Sequence, residues 1–76
     1  MAAKAFVLVE VAVGKTKEVA TVLKQLKDIK SVDLVTGPYD IIAIIETESL
    51  NKIGDLVTSN IHPVAGISRT VTCLAI

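Results

Sequence analysis

The chain has 76 residues, 51% of them hydrophobic and 3% aromatic, and eight basic and eight acidic residues give a formal net charge of +0. This length predicts one domain with a small core, and a neutral surface without a basic stripe argues against direct nucleic-acid binding. Cys73 is the one cysteine, which excludes an internal disulfide, and no apolar run reaches the roughly 18 residues of a membrane span. We therefore expect a cytoplasmic protein.

The first third of the chain predicts a strand followed by a helix. Residues 5–13 are apolar at nearly every position, which is typical of a strand buried on both faces, and Gly14 ends it. Apolar residues recur at helical spacing in residues 15–27, which predicts a helix with Thr16 as its candidate N-cap. The apolar stripe of this helix comprises Val19, Val22, Leu23 and Leu26.

The middle of the chain predicts two short strands and a turn. Residues 32–35 form the second strand, with Asp33 directed away from its apolar neighbours. Residues 40–46 form the third strand, again apolar on both faces. The turn at residues 36–39 combines glycine and proline, two residues that favour chain reversal for different physical reasons.

The last third predicts a second helix and a fourth strand. The helix covers residues 50–61, with N-capping residues available at 47–49, and its Gly54 predicts close packing against a neighbour. His62 precedes a proline, which disfavours helical backbone and ends the helix. Residues 67–76 then form the last strand.

The order β-α-β-β-α-β predicts an α+β, ferredoxin-like sandwich. Right-handed crossovers place both helices on one face of a four-stranded antiparallel sheet. The strands also carry isoleucine and valine on the other face, and an uncovered apolar surface of this kind marks an interface. We expect two subunits to pack sheet to sheet.

The sequence offers no catalytic, metal or cofactor site. Gly14-Lys15-Thr16 resembles the end of a phosphate-binding loop, but Val9 stands where that loop needs a glycine. His62 is the only histidine, and we interpret it as a loop residue or a helix-dipole partner. We expect Cys73 to be a small buried hydrophobe. A small enzyme of the dimeric ferredoxin-like class is the least supported interpretation.

Polar groups suited to a small ligand concentrate at residues 36–40 and on the last strand. Gly37 frees backbone N–H groups for a carboxylate, Asp40 can accept from an ammonium group, and Tyr39 adds apolar contact with a polar tip. Thr70 and Thr72 add hydroxyls. An α-amino acid has the matching groups, and the alternative is a turn that only reverses the chain.

Three motifs resemble a known family. They are Val13-Gly14-Lys15, Thr36-Gly37-Pro38-Tyr39-Asp40 and the segment 66–72. They resemble the effector domain of the Lrp/AsnC transcriptional regulators, also called the RAM domain, over essentially the whole chain. The resemblance implies a module in which two subunits pack sheet to sheet, dimers assemble into rings such as octamers, and amino acids bind between dimers.

The resemblance also implies binding residues. Gly37, Tyr39 and Asp40 match the family most closely. The complete predicted ligand-binding set is Thr36, Gly37, Pro38, Tyr39, Asp40, Thr70, Thr72 and Leu74. Pro38 departs from the acidic or polar residue often found there, and it removes a backbone donor and stiffens the turn.

Full-length family members carry an N-terminal helix-turn-helix domain, whereas four residues precede the first predicted strand here. We therefore expect an effector module, stand-alone or truncated, without its own DNA-binding domain. Two functions remain open at this point. One is an amino-acid-responsive, homo-oligomeric regulatory module. The other is a structural partner that co-assembles with full-length Lrp/AsnC regulators without a ligand.

Overall fold

A computed structural model describes residues 2–76 and confirms the predicted order of elements. The strands are β1 (Ala3–Val11), β2 (Ile29–Leu34), β3 (Ile41–Thr47) and β4 (Ile67–Leu74). The helices are α1 (Thr16–Lys24) and α2 (Leu50–Leu56), and a π-helical segment, Val57–Ile61, continues α2. None of the helices in the described range is long and apolar enough to cross a membrane.

The four strands form one antiparallel sheet in the order β2-β3-β1-β4. The central pair is β1 and β3, while β2 and β4 are the edges. This is the topology of a ferredoxin-like α+β sandwich, so the predicted fold class is confirmed.

One face of the sheet packs against the helices and forms the core. Alternate residues of β1 and β3 point to this face because strand side chains alternate. The fully buried members are Ala5, Val7, Val9, Ile41, Ala43 and Ile45 from the sheet, with Val19, Leu23 and Ile61 from the helical segments. Among residues 2–76 no polar or charged residue is buried as a whole, and the hydroxyl oxygen of the partly buried Ser31 is buried without a hydrogen-bond partner. Each buried isoleucine, leucine or valine contributes about 1.5–3 kcal/mol.

The other face, here called the open face, carries no helix. Phe6 and Leu8 of β1 lie opposite Ile44 and Ile42 of β3, and Val71 of β4 lies opposite Leu8. All five side chains are only partly buried. Cys73 lies opposite Phe6 on the same face and is exposed. Our expectation that Cys73 is buried is therefore wrong for the single chain, because its strand alternation directs it away from the helices.

The structure corrects the limits of α1. Thr16 is the first helical residue rather than the N-cap, since Lys15 holds that position and no side chain caps the helix. The helix ends at Lys24, and Asp28 adopts a left-handed backbone with φ of 73°. This reversal lets β2 begin at Ile29, three residues before the predicted start. Val22, assigned to the buried stripe, is 40% exposed.

The second helical region confirms one prediction and overturns another. Ser49 is the N-cap of α2, and its hydroxyl accepts a hydrogen bond from the backbone N–H of Lys52 at 3.3 Å. Gly54 is not closely packed, because a methyl group built there meets no atom within 4 Å. The π-helical segment ends as predicted at His62, whose N–H donates to the carbonyl of Val57 at 2.9 Å.

The first and last strands end earlier than predicted. After Val11 the N–H of Ala12 donates to the carbonyl of Gly66 at 2.8 Å, and the N–H of Lys15 donates back to Ala12 at 3.0 Å. These bonds close a turn that needs Gly14 at φ of 80°. At the other end of the chain, β4 stops at Leu74.

Candidate functional site

The turn at residues 36–40 joins β2 to β3 and is held by backbone hydrogen bonds. The N–H of Val35 donates to the carbonyl of Asp40, and the N–H of Asp40 donates to the carbonyl of Val9, both at 2.9 Å. Gly37 has φ of 128°, a conformation that other residues rarely adopt. The turn is therefore anchored at its end, while Thr36, Gly37 and Pro38 are exposed to solvent.

Asp40 connects this turn to the central strand β1. Its Oδ2 accepts a hydrogen bond from the backbone N–H of Val11 at 2.9 Å. The contact lies where the pairing of β1 with β4 shifts register, between Glu10 and Val11. One carboxylate oxygen therefore supports the fold. Hydrogen bonds to the Asp40 side chain from within residues 2–76 involve only Oδ2.

Tyr39 pairs with an arginine that the sequence did not single out. Nη2 of Arg69 donates to the Tyr39 hydroxyl at 2.9 Å, and the guanidinium carbon lies 5.5 Å from the centre of the tyrosine ring. A cation at this distance from an aromatic face is attracted to it. Arg69 lies opposite Glu10 on the open face. The turn thus has a basic group beside its tyrosine.

The sequence analysis did not identify Arg69, because its contact with Tyr39 is set by the register of the paired strands. The alternation of β4 places Arg69 on the same side as Val71 and Cys73, and that much is readable from the sequence. Its approach to Tyr39, 30 residues earlier in the chain, requires the pairing of β4 with β1 and of β1 with β3. No local signal carries that information.

The three predicted residues of β4 lie on the helix-facing side. Thr70 is opposite Val9, Thr72 opposite Val7, and Leu74 opposite Ala5. The strand therefore leads away from the turn, and Leu74 lies roughly 14 Å beyond Thr70 at about 3.4 Å per residue. Thr70 Oγ1 forms a hydrogen bond with Nε2 of His62 at 3.0 Å. This bond gives His62 a neighbour that its sequence position did not suggest.

Thr72 and Leu74 line an open groove of about 280 Å³ beside α2. The predicted binding residues therefore fall into two groups within one chain. The first is the turn, with Tyr39 and Asp40 near Arg69. The second is the far end of β4, beside α2. A single chain does not bring the two groups together.

A larger open groove of about 860 Å³ lies at the opposite end of the sheet from the turn. Its charged lining mixes both signs: Lys27, Asp28, Lys30, Glu46, Glu48 and Lys52. Lys52 pairs with Glu48 at 3.1 Å. Glu46 and Glu48 are exposed.

Fold and site together define a class: ferredoxin-like domains with one free apolar sheet face and a polar turn between their second and third strands. The family model of the Lrp/AsnC ligand binding domain matches residues 4–76. The chain therefore belongs to the Lrp/AsnC family, and the matching part of that family is its ligand-binding domain.

Individual relatives agree with this assignment. The chain is 37% identical over 75 residues to the HTH-type transcriptional regulator FL11 of Pyrococcus horikoshii, covering 95% of this chain and 47% of FL11. It thus spans about half the length of this curated relative. The structure of TTHA0845 from Thermus thermophilus is similar with a TM-score of 0.93 and 31% identity, covering 97% of this chain and 92% of that one.

A more distant likeness extends the fold comparison. The transcriptional regulator NMB0573 from Neisseria meningitidis, in a complex with L-Met, has a TM-score of 0.87 at 16% identity. The match covers 97% of this chain and 49% of NMB0573. At this identity the likeness concerns the fold alone.

Proposed function

We propose that this chain is an amino-acid-binding and oligomerisation module of Lrp/AsnC-type transcriptional regulation. Two subunits pack through their open faces, the dimers assemble further into a ring, and an amino-acid effector binds where dimers meet. The observation that carries the proposal is the open face, which leaves Phe6, Leu8, Ile42, Ile44 and Val71 without a covering layer.

The open face supports assembly through its composition and position. Its centre is apolar, and charged side chains lie at both ends of the central strands, where Lys4 is opposite Glu46 and Glu10 is opposite Arg69. An apolar centre with a polar rim is the usual anatomy of a protein interface. A second copy supplies a face of the same shape, as a two-fold symmetric contact requires.

The turn at residues 36–40 supports ligand binding through its exposed backbone and its charges. The exposed Gly37 gives a ligand close access to the main chain, and Asp40 Oδ1 can accept from an ammonium group. Arg69 beside Tyr39 can attract a carboxylate. These opposite charges suit a zwitterion. The complex of NMB0573 with L-Met supports an amino acid as the ligand class, because that regulator shares the fold.

Calorimetry against each of the twenty amino acids tests the function. We expect at least one to bind the wild-type chain, and Tyr39→Phe to weaken it while circular dichroism stays unchanged. Lys17→Gln is the matched control, because Lys17 lies exposed on α1 and away from the turn. Absence of binding by all twenty, with the protein assembled, would remove the amino-acid claim.

A second candidate function is co-assembly with longer regulators of the family without a ligand. The observation that favours it is the bond from Val11 N–H to Asp40 Oδ2, through which the chain itself fixes the turn. The test mixes this chain with a full-length Lrp/AsnC regulator and follows mass by light scattering. Mixed particles that form equally well with and without amino acids support this candidate, and separate particles contradict it.

A further inference from the structure

Strand β4 contains an irregularity near its start. Arg69 pairs with Glu10 of β1. Ile67 pairs with Val11, the next residue of β1, which leaves Ser68 as the extra residue of a β-bulge. The bulge interrupts the alternation of side chains along β4. Because of it, Ile67 packs against the core, whereas Arg69, two residues later, lies on the open face.

Burial does not decide which side chains of β4 reach the open face. In the part of the chain that the structure describes, the buried core takes none of its members from β4. Each set of alternating residues after the bulge mixes polar and apolar side chains. The set on the open face is Arg69, Val71 and Cys73, and the set facing the helices is Thr70, Thr72 and Leu74. A strand whose two faces differ little in polarity specifies its register weakly.

Two adjacent side chains of the turn at residues 36–40 hold the bulge. The Tyr39 hydroxyl accepts a hydrogen bond from Nη2 of Arg69 at 2.9 Å. Asp40 Oδ2 accepts a hydrogen bond from the N–H of Val11, also at 2.9 Å. Arg69 and Val11 belong to the two residue pairs that flank the register shift. These two hydrogen bonds are here called the bulge clasp.

We propose that the bulge clasp sets the register of β4 and thereby decides which of its side chains reach the open face. If Ser68 entered the ladder, every later residue of β4 would move by one position and turn to the other face. Leu8 would then lie opposite Thr70 rather than Val71. The inference goes beyond the proposed function, because both hydrogen bonds of the clasp lie within one chain. A molecule that opened the clasp would change the surface on which the proposed dimer depends.

A further side-chain contact also depends on this register. Thr70 Oγ1 lies 3.0 Å from Nε2 of His62 on the helix-facing side, and the contact is exposed. The bond between Asp40 and Val11 is partly buried, so water competes with it less. We therefore expect the clasp to contribute more to the register than His62 does.

The experiment follows side-chain contacts across the open face by NMR in isotope-labelled protein. Directly opposite residues of an antiparallel pair have Cβ atoms about 4.5–5.5 Å apart, so the wild type should give a nuclear Overhauser cross-peak between Leu8 and Val71. Tyr39→Phe combined with Asp40→Ala removes both hydrogen bonds of the clasp. We expect this double variant to lose that cross-peak and to gain one between Leu8 and Thr70.

Deletion of Ser68 provides a rescue. It removes the extra residue and lets Ile67 and Arg69 keep their present partners on β1 without a bulge. The register then no longer depends on the clasp. The double variant with Ser68 deleted should therefore regain the cross-peak between Leu8 and Val71.

Two single variants serve as comparisons. Lys52→Gln removes an exposed ion pair with Glu48 at the opposite end of the sheet and should leave the cross-peak unchanged. His62→Ala removes the contact with Thr70 and should weaken the cross-peak less than the double variant does.

The outcomes separate control of the register from a role in stability alone. A folded double variant that keeps the Leu8–Val71 cross-peak overturns the inference, as does a larger loss in His62→Ala. A loss that deletion of Ser68 does not reverse also overturns it. If circular dichroism shows the double variant to be unfolded, recovery of the fold and the cross-peak on deletion of Ser68 supports the clasp, and continued unfolding contradicts it. Amino-acid binding enters none of these measurements, so the proposed function can fail without affecting them.

Discussion

The two faces of the sheet carry the same kind of apolar residue, but the helices cover only one of them. Ile45 points toward the helices and is fully buried, whereas its neighbour Ile44 points to the open face and is partly exposed. The sequence supplies isoleucine to both. The covered face is completed by α1 and α2 within the chain, while the open face is covered only in the proposed dimer. Under that proposal, adjacent residues of one strand separate the stability of the subunit from its assembly.

The largest expected effect is on the covered face. Ile45→Ala should lower the free energy of unfolding by about 2–5 kcal/mol, because it removes buried methyl groups and leaves a cavity. Urea denaturation followed by circular dichroism measures it. A loss below about 1 kcal/mol would mean that the helices do not pack on this face as described.

The matched change on the open face should act on assembly instead. Ile44→Asp places a charge at the centre of the proposed interface, where burial without a partner is unfavourable by several kcal/mol. We expect the dissociation constant of the dimer to rise at least about 100-fold, since each 1.4 kcal/mol is a factor of ten. Analytical ultracentrifugation over a concentration series measures this change. An unchanged mass at every concentration would place the subunit contact elsewhere.

Substitution of Asp40 tests how much the turn depends on its hydrogen bond to the end of strand β1. Asp40→Ala removes the acceptor for the Val11 N–H and should destabilise the chain by roughly 1–3 kcal/mol. Asp40→Asn keeps an acceptor oxygen and should lose less. Thermal unfolding of both variants gives the comparison. Equal losses would show that the carboxylate charge, and not the hydrogen bond, holds the turn.

The smallest expected effect concerns the edge of the open face. Arg69→Met removes the hydrogen bond and the cation–π contact with Tyr39 and keeps most of the apolar stem. For an exposed pair we expect a loss of about 0.5–1 kcal/mol. Chemical denaturation at low and high salt measures it. A loss above about 2 kcal/mol would mean that Arg69 is buried in the assembled protein.

The fold was predictable because its signals are local. Unbroken apolar runs indicated the strands, and helical spacing of apolar residues indicated the helices. The predicted ends of the helices and strands were wrong where the backbone conformation of a single residue determines them. Asp28 in a left-handed conformation starts β2 early, and an aspartate in that role gives no clear pattern. Gly54 misled the prediction because glycine indicates both close packing and open space, and only neighbouring atoms distinguish the two.

The candidate site was predictable in part. The turn at residues 36–40 is contiguous in sequence, so its residues could be named together. The placement of Thr72 and Leu74 beside α2 depends on sheet register and helix packing, which the sequence does not display. Finding Arg69 and the groove beside α2 required the same information. Resemblance to the family supplied residue names, and the structure supplied their separation into two groups.

The exposed position of Cys73 makes the open face chemically addressable. An alkylating reagent reaches a thiol only while its surroundings are open to solvent, so in the proposed dimer the rate of Cys73 alkylation would measure how often the two open faces separate. Because Cys73 is the one cysteine of the chain, mass spectrometry can count modified subunits without a background from other thiols. If the proposed dimer forms, the native polypeptide therefore carries its own kinetic reporter of subunit exchange, with no label introduced.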